Sequence, residues 1–168
     1  MKKIVFFILI LIAFNSCERD DICIDEITPR LVIGFYDIDD ETSAKAVSDI
    51  EVKIDGKDDE DGYTDEGETI RTSTDSIAIP LRVDQQLTKY YLTINHSDEN
   101  AKNTDTLTVN YTTESVFVGR SCGHKSIFNN SQYEFDDESP SENNWIKRIE
   151  VVTTTINNEE QAHIKIFH

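Results

Sequence analysis

Cysteine is scarce in this chain: Cys17, Cys23 and Cys122 are its only three. The four histidines, His96, His124, His163 and His168, lack the close pairing of a zinc site. Cys122-Gly123-His124 offers two ligands where a structural zinc takes four. Cations are scarce as well. Sixteen Lys and Arg stand against 33 Asp and Glu, for a formal net charge of -17. That balance argues against nucleic acid, because neutralisation of phosphates by Lys and Arg supplies most of such affinity. It argues equally against charge-driven adhesion to anionic lipid. Divalent cations and basic partners remain compatible with it. There is no internal repeat and no convincing amphipathic helical pattern. The one long apolar run, Ile4–Phe14, falls short of the roughly 20 residues that cross a bilayer.

What surrounds that run is informative. Met1-Lys2-Lys3 is a basic start, Ser16 is small, and Cys17 follows at once. A basic start before an apolar stretch of about 7–15 residues is the pattern of an export signal. A small residue before a cysteine is the pattern of a bacterial lipoprotein, in which a peptidase cuts ahead of the cysteine and the thiol carries lipid. Phe14 departs from the leucine usual at its position. A plain secreted protein and a retained anchor are the alternatives. The expected division is a signal peptide at 1–16, a lipidated N-terminus and short tether at 17–29, and a single β-domain at 30–168. Losing Lys2 and Lys3 would take the charge to about -19.

With Cys17 lipidated, Cys23 and Cys122 are left as an even pair in an oxidising compartment, which favours a disulfide. Buried thiols or pairing with another chain are the alternatives. If the two were bonded, Glu18–Ile22 would be the only free tether, under about 20 Å at 3.3–3.6 Å per residue.

Beyond the tether the chain reads as strands, by alternation of apolar with polar residues. Leu31, Ile33 and Phe35 share a face, as do Val52 and Ile54. Ile77, Ile79, Leu81 and Val83 alternate with Ser76, Ala78, Pro80 and Arg82. Tyr90, Leu92 and Ile94 follow, then Leu107, Val109 and Tyr111, then a short piece at Val116–Val118. A Thr-rich strand is expected near Lys147–Ile156, with Ile149, Val151 and Thr153 on one face. The last strand carries Ala162, Ile164 and Ile166 opposite a polar face of His163, Lys165 and Phe167. About eight strands with one solvated face predict an all-β fold, an antiparallel, immunoglobulin-like β-sandwich, with a small β-barrel as the alternative. Pro80 donates no ladder hydrogen bond, so its strand lies at an edge or carries a bulge. Asp55–Thr74 and Asn129–Asn144 are the long polar connections.

The first of these connections is acidic. Counted as a twelve-residue calcium loop from Lys57, it puts Asp59, Asp61 and Asp65 at the third, fifth and ninth positions, Gly62 at the sixth and Glu68 at the twelfth. Lys57, however, stands where a carboxylate is needed, and no helix flanks the loop. Calcium at Asp59, Asp61, Asp65 and Glu68 is therefore the second reading, behind a solvated acidic loop. Gly119-Arg120-Ser121-Cys122-Gly123 fits G-x-S-x-G, but the hydrolase elbow needs a strand–turn–helix, and no helix is expected after Ser121. A glycine turn around a disulfide cysteine explains it better. Asp75-Ser76-Ile77 and Asp105-Thr106-Leu107 match the D-[S/T]-apolar triplet at which some Gram-negative bacteria attach O-glycans to exported proteins, making Ser76 and Thr106 candidate sites.

Five stretches carry a wider resemblance: Cys17–Cys23, Thr28–Asp37, Thr74–Arg82 with its D-S-I-x-x-P-L segment, Phe117–Lys125 with its C-G-x-K, and Ala162–Phe167. Together they resemble a family of Bacteroidetes-type lipoproteins known as a domain of unknown function. The resemblance implies lipidation at Cys17 and pairing of Cys23 with Cys122, and it implies no activity. Arg19-Asp20-Asp21 after Cys17 is similar to short signals that send such lipoproteins to the cell surface.

The functional expectation is a non-catalytic binding or structural module at the outer membrane, held by its lipid anchor and facing an envelope protein or glycan, on either side of that membrane. A calcium-binding surface protein and an envelope hydrolase are the other readings. No cofactor is expected beyond the covalent lipid and, on the second reading, Ca²⁺. An exposed aromatic patch would support binding, and Tyr63, Tyr133, Phe135 and Trp145 are its candidates.

Overall fold

The computed structural model describes Cys23 and residues 28–55, 73–136 and 144–168. Among them are eight strands and no helix: β1 (Leu31–Tyr36), β2 (Glu51–Ile54), β3 (Ser76–Ile79), β4 (Leu87–Ile94), β5 (Asn103–Gly119), β6 (Gly123–Asp136), β7 (Arg148–Val151) and β8 (Ile164–Phe167). They form two four-stranded sheets, ordered β3-β1-β8-β7 and β2-β4-β5-β6. The sheets face each other as a β-sandwich, and no barrel closes. Leu31, Ile33, Phe35, Ile79, Ile164 and Ile166 from the first meet Val52, Tyr90, Leu92, Leu107, Val109 and Phe128 from the second in one buried cluster. The alternation that marks these strands is thus the alternation between core and outer face.

One pair departs from the antiparallel expectation. β1 runs parallel to β8, with Ile33 beside Ile164 and Phe35 beside Ile166. All other pairs are antiparallel. The parallel pair places the start of β1 and the segment leading into β8 at the same end of the sandwich. Arg30 there grips Glu159 with its backbone N–H (2.8 Å) and its guanidinium (2.7–3.1 Å). That contact holds the Glu159 carboxyl below its usual pKa.

Several residues sit differently from their alternation. His163 was expected on the solvent side and is 2% exposed. It precedes β8, and it faces β1 instead: its backbone N–H donates to Val32 O and its Nδ1 accepts from Val32 N at 2.9 Å. Phe167, also expected outside, is fully buried, because Arg148 lies 3.9 Å over its ring and Tyr36 packs beside it. Val83 and Val151, expected inside, are exposed. β3 stops at Ile79, before Pro80 breaks the ladder at this edge strand, and β7 ends at Val151. The separate piece at Val116–Val118 is the end of the 17-residue β5.

β6 occupies much of what reads as a polar connection. Its pairing with β5 slips between Asn110 and Thr112: Asn110 faces Gln132, while Thr112 faces Asn129. One extra residue therefore sits in β6, at Asn130, whose φ is +55°. Because of it, Phe128 and Tyr133, an odd number of residues apart, lie on the same core-facing side. A period of two does not survive such an insertion, which hid this strand in the sequence.

The end remote from Arg30 is closed by Trp145 and Ile146. Trp145 Nε1 donates to Leu92 O at 3.1 Å, and Ile146 N donates to the buried Asp105 Oδ2 at 2.7 Å. Asp105→Ala should cost about 2 kcal/mol, since it leaves the Ile146 N–H buried without that acceptor. An unchanged urea midpoint for the variant would show that this contact carries no stability.

Candidate functional site

β4 pairs with β5 only as far as Leu87 opposite Asn110. Beyond that point β5 and β6 continue together, Thr112–Gly119 against Gly123–Asn129; Ile156 still bridges the outer edge of β6 at Phe128, and the two strands form a two-stranded ribbon past it. Antiparallel strands advance about 3.4 Å per residue, so Phe117 stands roughly 24 Å beyond Asn110. Arg120, Ser121 and Cys122 turn the ribbon, and Gly123 closes the turn at φ +71°. That left-handed conformation is costly for any residue with a Cβ.

The tip is tied to the start of the folded chain. Cys23 and Cys122 form a disulfide with a Cα–Cα distance of 4.9 Å and a sequence separation of 99. Thr28 Oγ1 accepts from Ser126 N at 3.0 Å. Cys23 is thus held at the tip and Thr28 beside β6, two residues ahead of Arg30. Lys125 Nζ reaches Asn157 O at 3.4 Å, so the approach to β8 also meets the ribbon.

Phe117 faces His124 across the ribbon, with ring centroids 5.2 Å apart. It shares strand parity with Val109, Tyr111 and Thr113. The row of side chains that fills the core thus runs off the end of the sandwich. Phe117 is 59% exposed, the highest value among the exposed large hydrophobic residues described. Arg120 in the turn and Lys125 near the start of β6 supply positive charge. The nearest described acid on β5 is Glu114, whose Oε2 accepts from Asn129 Nδ2 at 3.0 Å.

The residues singled out in the sequence fall as follows. Cys17 lies outside the described residues. So do Lys57, Gly62 and the proposed calcium ligands Asp59, Asp61, Asp65 and Glu68. Among the described residues, no group of three or more His, Cys, Asp or Glu is placed to hold a metal ion. Ser76 is exposed on the edge strand β3, its hydroxyl bonded to Asp75 Oδ1 at 3.2 Å. Thr106 is 4% exposed within β5, flanked by β4 and β6, so the folded domain presents Ser76 and withholds Thr106. Ser121 sits in a strand–turn–strand tip, which lacks the helix of a nucleophile elbow.

The aromatic patch is also differently placed. Tyr63 lies outside the described residues. Trp145 is buried and donates its N–H inside the core. Tyr133 packs against the core, and burial pushes its hydroxyl up to a pKa of about 12. Phe135 alone of the four is exposed. Phe117 and His124 were missed as a surface feature because the end of β5 reads as a short fragment and the start of β6 does not read as a strand. The glycines flanking Cys122 were the available signal for a turn there. A shallow, open cleft of about 320 Å³, lined by Ile54, Pro80, Leu81, Arg82, Val83 and Asp84, opens at the same end of the sandwich. Arg82 and Asp84 pair there at 3.2 Å.

The sequence profile of a family of unknown function, DUF6452, matches residues 49–168. The chain belongs to that family. The DUF6452 match spans β2 to β8, the whole ribbon and Cys122. β1 and Cys23 precede it, although β1 is an interior strand of its sheet, between β3 and β8. The folded unit of this DUF6452 protein therefore includes residues upstream of the matched segment. No curated protein and no solved structure matches the chain.

Proposed function

We propose that this protein is a lipid-anchored module of the bacterial outer membrane, without catalysis, serving as a binding or structural element of the envelope. The observation that carries the reading is the Cys23–Cys122 bond. It joins the folded domain to the chain a few residues after Cys17, itself preceded by the basic start, the apolar run and Ser16. A domain bonded that close to a lipidated cysteine works within reach of its bilayer. Two or three acyl chains, at about 0.8 kcal/mol per buried methylene, hold it there durably, where one chain alone is marginal. Its partner is an envelope protein or glycan, and the exposed hydroxyl of Ser76 is a site for O-glycan attachment.

Cys17→Ala should leave an uncleaved precursor that takes up no labelled lipid. A variant that still runs at mature size and carries lipid refutes the anchor. Pull-down of the lipidated protein from its own envelope, with protease shaving of intact cells, then identifies the partner and the face of the membrane.

A further inference from the structure

We infer that the β5–β6 ribbon tip is a membrane-contacting surface, with Phe117 entering the interface of the bilayer and Arg120 meeting its phosphate groups. The inference rests on the lipid anchor proposed above and adds the surface and orientation by which the domain meets its membrane. Three independent observations converge on the tip.

The first is geometric. Six Cα steps separate Cys17 from Cys23, a reach of about 20 Å when fully extended. Cys23 is bonded to Cys122 at the tip. Phe117 stands roughly 14 Å beyond Thr113 and Phe128, where Ile156 still bridges β6 to the sandwich, so a lipid on Cys17 would hold this end of the domain within reach of the bilayer.

The second is the exposed ring. A single exposed apolar residue is ordinary on a protein surface. Phe117 differs in its place: it ends a core-facing row that has run out of sandwich to cover it, at the terminus of the ribbon. It packs on His124, an apolar ring beside a polar one at the end of the ribbon. The third is charge. In a chain with twice as many acids as bases, the turn carries the exposed Arg120, with Glu114 the nearest acid on β5. The tether sequence adds the charges of Glu18, Asp20 and Asp21 and of Arg19, so the net charge of this end is small. The contact is therefore driven by proximity and Phe117, with Arg120 setting orientation.

The test uses the lipidated protein, reconstituted in phosphatidylethanolamine–phosphatidylglycerol vesicles with brominated or ordinary acyl chains. Lipid on Cys17 is checked by mass spectrometry of the same sample. Trp145, the only tryptophan, is buried at the opposite end and serves as the internal reference. Phe117→Trp adds a reporter at the tip, and Ile38→Trp adds one at an exposed position beyond β1, also at the opposite end. Brominated lipid should reduce the added Phe117→Trp emission at least ~2-fold, as expected for a ring at the interface, and leave Ile38→Trp unchanged. A lipidated protein whose Phe117→Trp stays unquenched, or whose Ile38→Trp is quenched equally, overturns the inference and leaves the anchor standing. A native Cys17 without lipid overturns the anchor and the inference with it.

Discussion

Replacing both Cys23 and Cys122 by serine should lower the stability of the domain by about 3–5 kcal/mol. The bond closes a separation of 99 residues. In the chain-entropy model a loop of that length restricts the unfolded chain by roughly 4.7 kcal/mol, a figure measured values commonly undercut. For a domain of this size each kcal/mol moves the melting temperature by about 2–4 °C, so a fall near ~10 °C is expected. The native side of the balance changes less. Thr28 still accepts from Ser126 N, and Arg30 still grips Glu159, so the start of β1 keeps two other links to the rest of the chain. Urea unfolding of the oxidised protein and the double variant measures the difference directly. A midpoint unchanged by the substitution would mean that the bond does not constrain the unfolded ensemble. The same variant frees the chain from Cys23 up to Thr28. Its tether then grows from five residues to about ten, and the tip loses its fixed distance from the anchor. Quenching of Phe117→Trp by brominated lipid should weaken in that background, which separates the orienting role of the bond from its stabilising one.

Strands whose two faces differ sharply were legible in the sequence. Leu31-Ile33-Phe35, Tyr90-Leu92 and Leu107-Val109-Tyr111 each put apolar side chains on one face, and each lies in the core. Burial on one side only is what writes a period of two into a strand. The count of eight strands also agrees, although two expected pieces are one strand, β5, and one observed strand, β6, was read as a connection. The reason is local and physical. The extra residue at Asn130 shifts the phase of β6 between Phe128 and Tyr133, so no single alternation runs through it. The parallel β1–β8 pair leaves no signal either, because these strands are short and distant in sequence. The disulfide was inferable from cysteine number and from the export that the N-terminal pattern implies, whereas its position at the end of a long ribbon was not. The surface at Phe117 depends on that ribbon projecting past β4, a consequence of unequal strand lengths that no single segment encodes. The outer-face burial of Phe167 has the same character, since it needs Arg148 from β7 and Tyr36 from β1 to be brought over one ring.

His163→Ala should cost about 3 kcal/mol near neutral pH, combining a cavity in place of the buried ring with a lost acceptor for Val32 N. The ring is fixed from two sides. Nδ1 accepts from Val32 N at 2.9 Å, and a second hydrogen bond joins the ring to the Asn158 backbone. The ring that fits this site is neutral, because a proton on Nδ1 would point at the Val32 N–H. Burial accordingly pushes the His163 pKa down from its ordinary 6.5, opposed in part by the Asn158 bond and by the nearby Glu159 carboxylate. A lowered folded-state pKa means that the unfolded chain takes up the proton first. The stabilisation is complete above about pH 6.5 and is lost as the pH falls from there through the lower value in the folded protein. Glu159 acts in a more acidic window, since Arg30 lowers its carboxyl pKa from 4.5, and its contribution fades only below that value. His163→Gln distinguishes packing from titration, because its amide oxygen offers Val32 an acceptor and takes up no proton. It should cost less than His163→Ala, and both variants should flatten the dependence of the urea midpoint on pH between about 7.5 and 5. If His163→Gln keeps the wild-type slope over that range, another group carries the acid sensitivity and the neutral-ring account of this site is wrong.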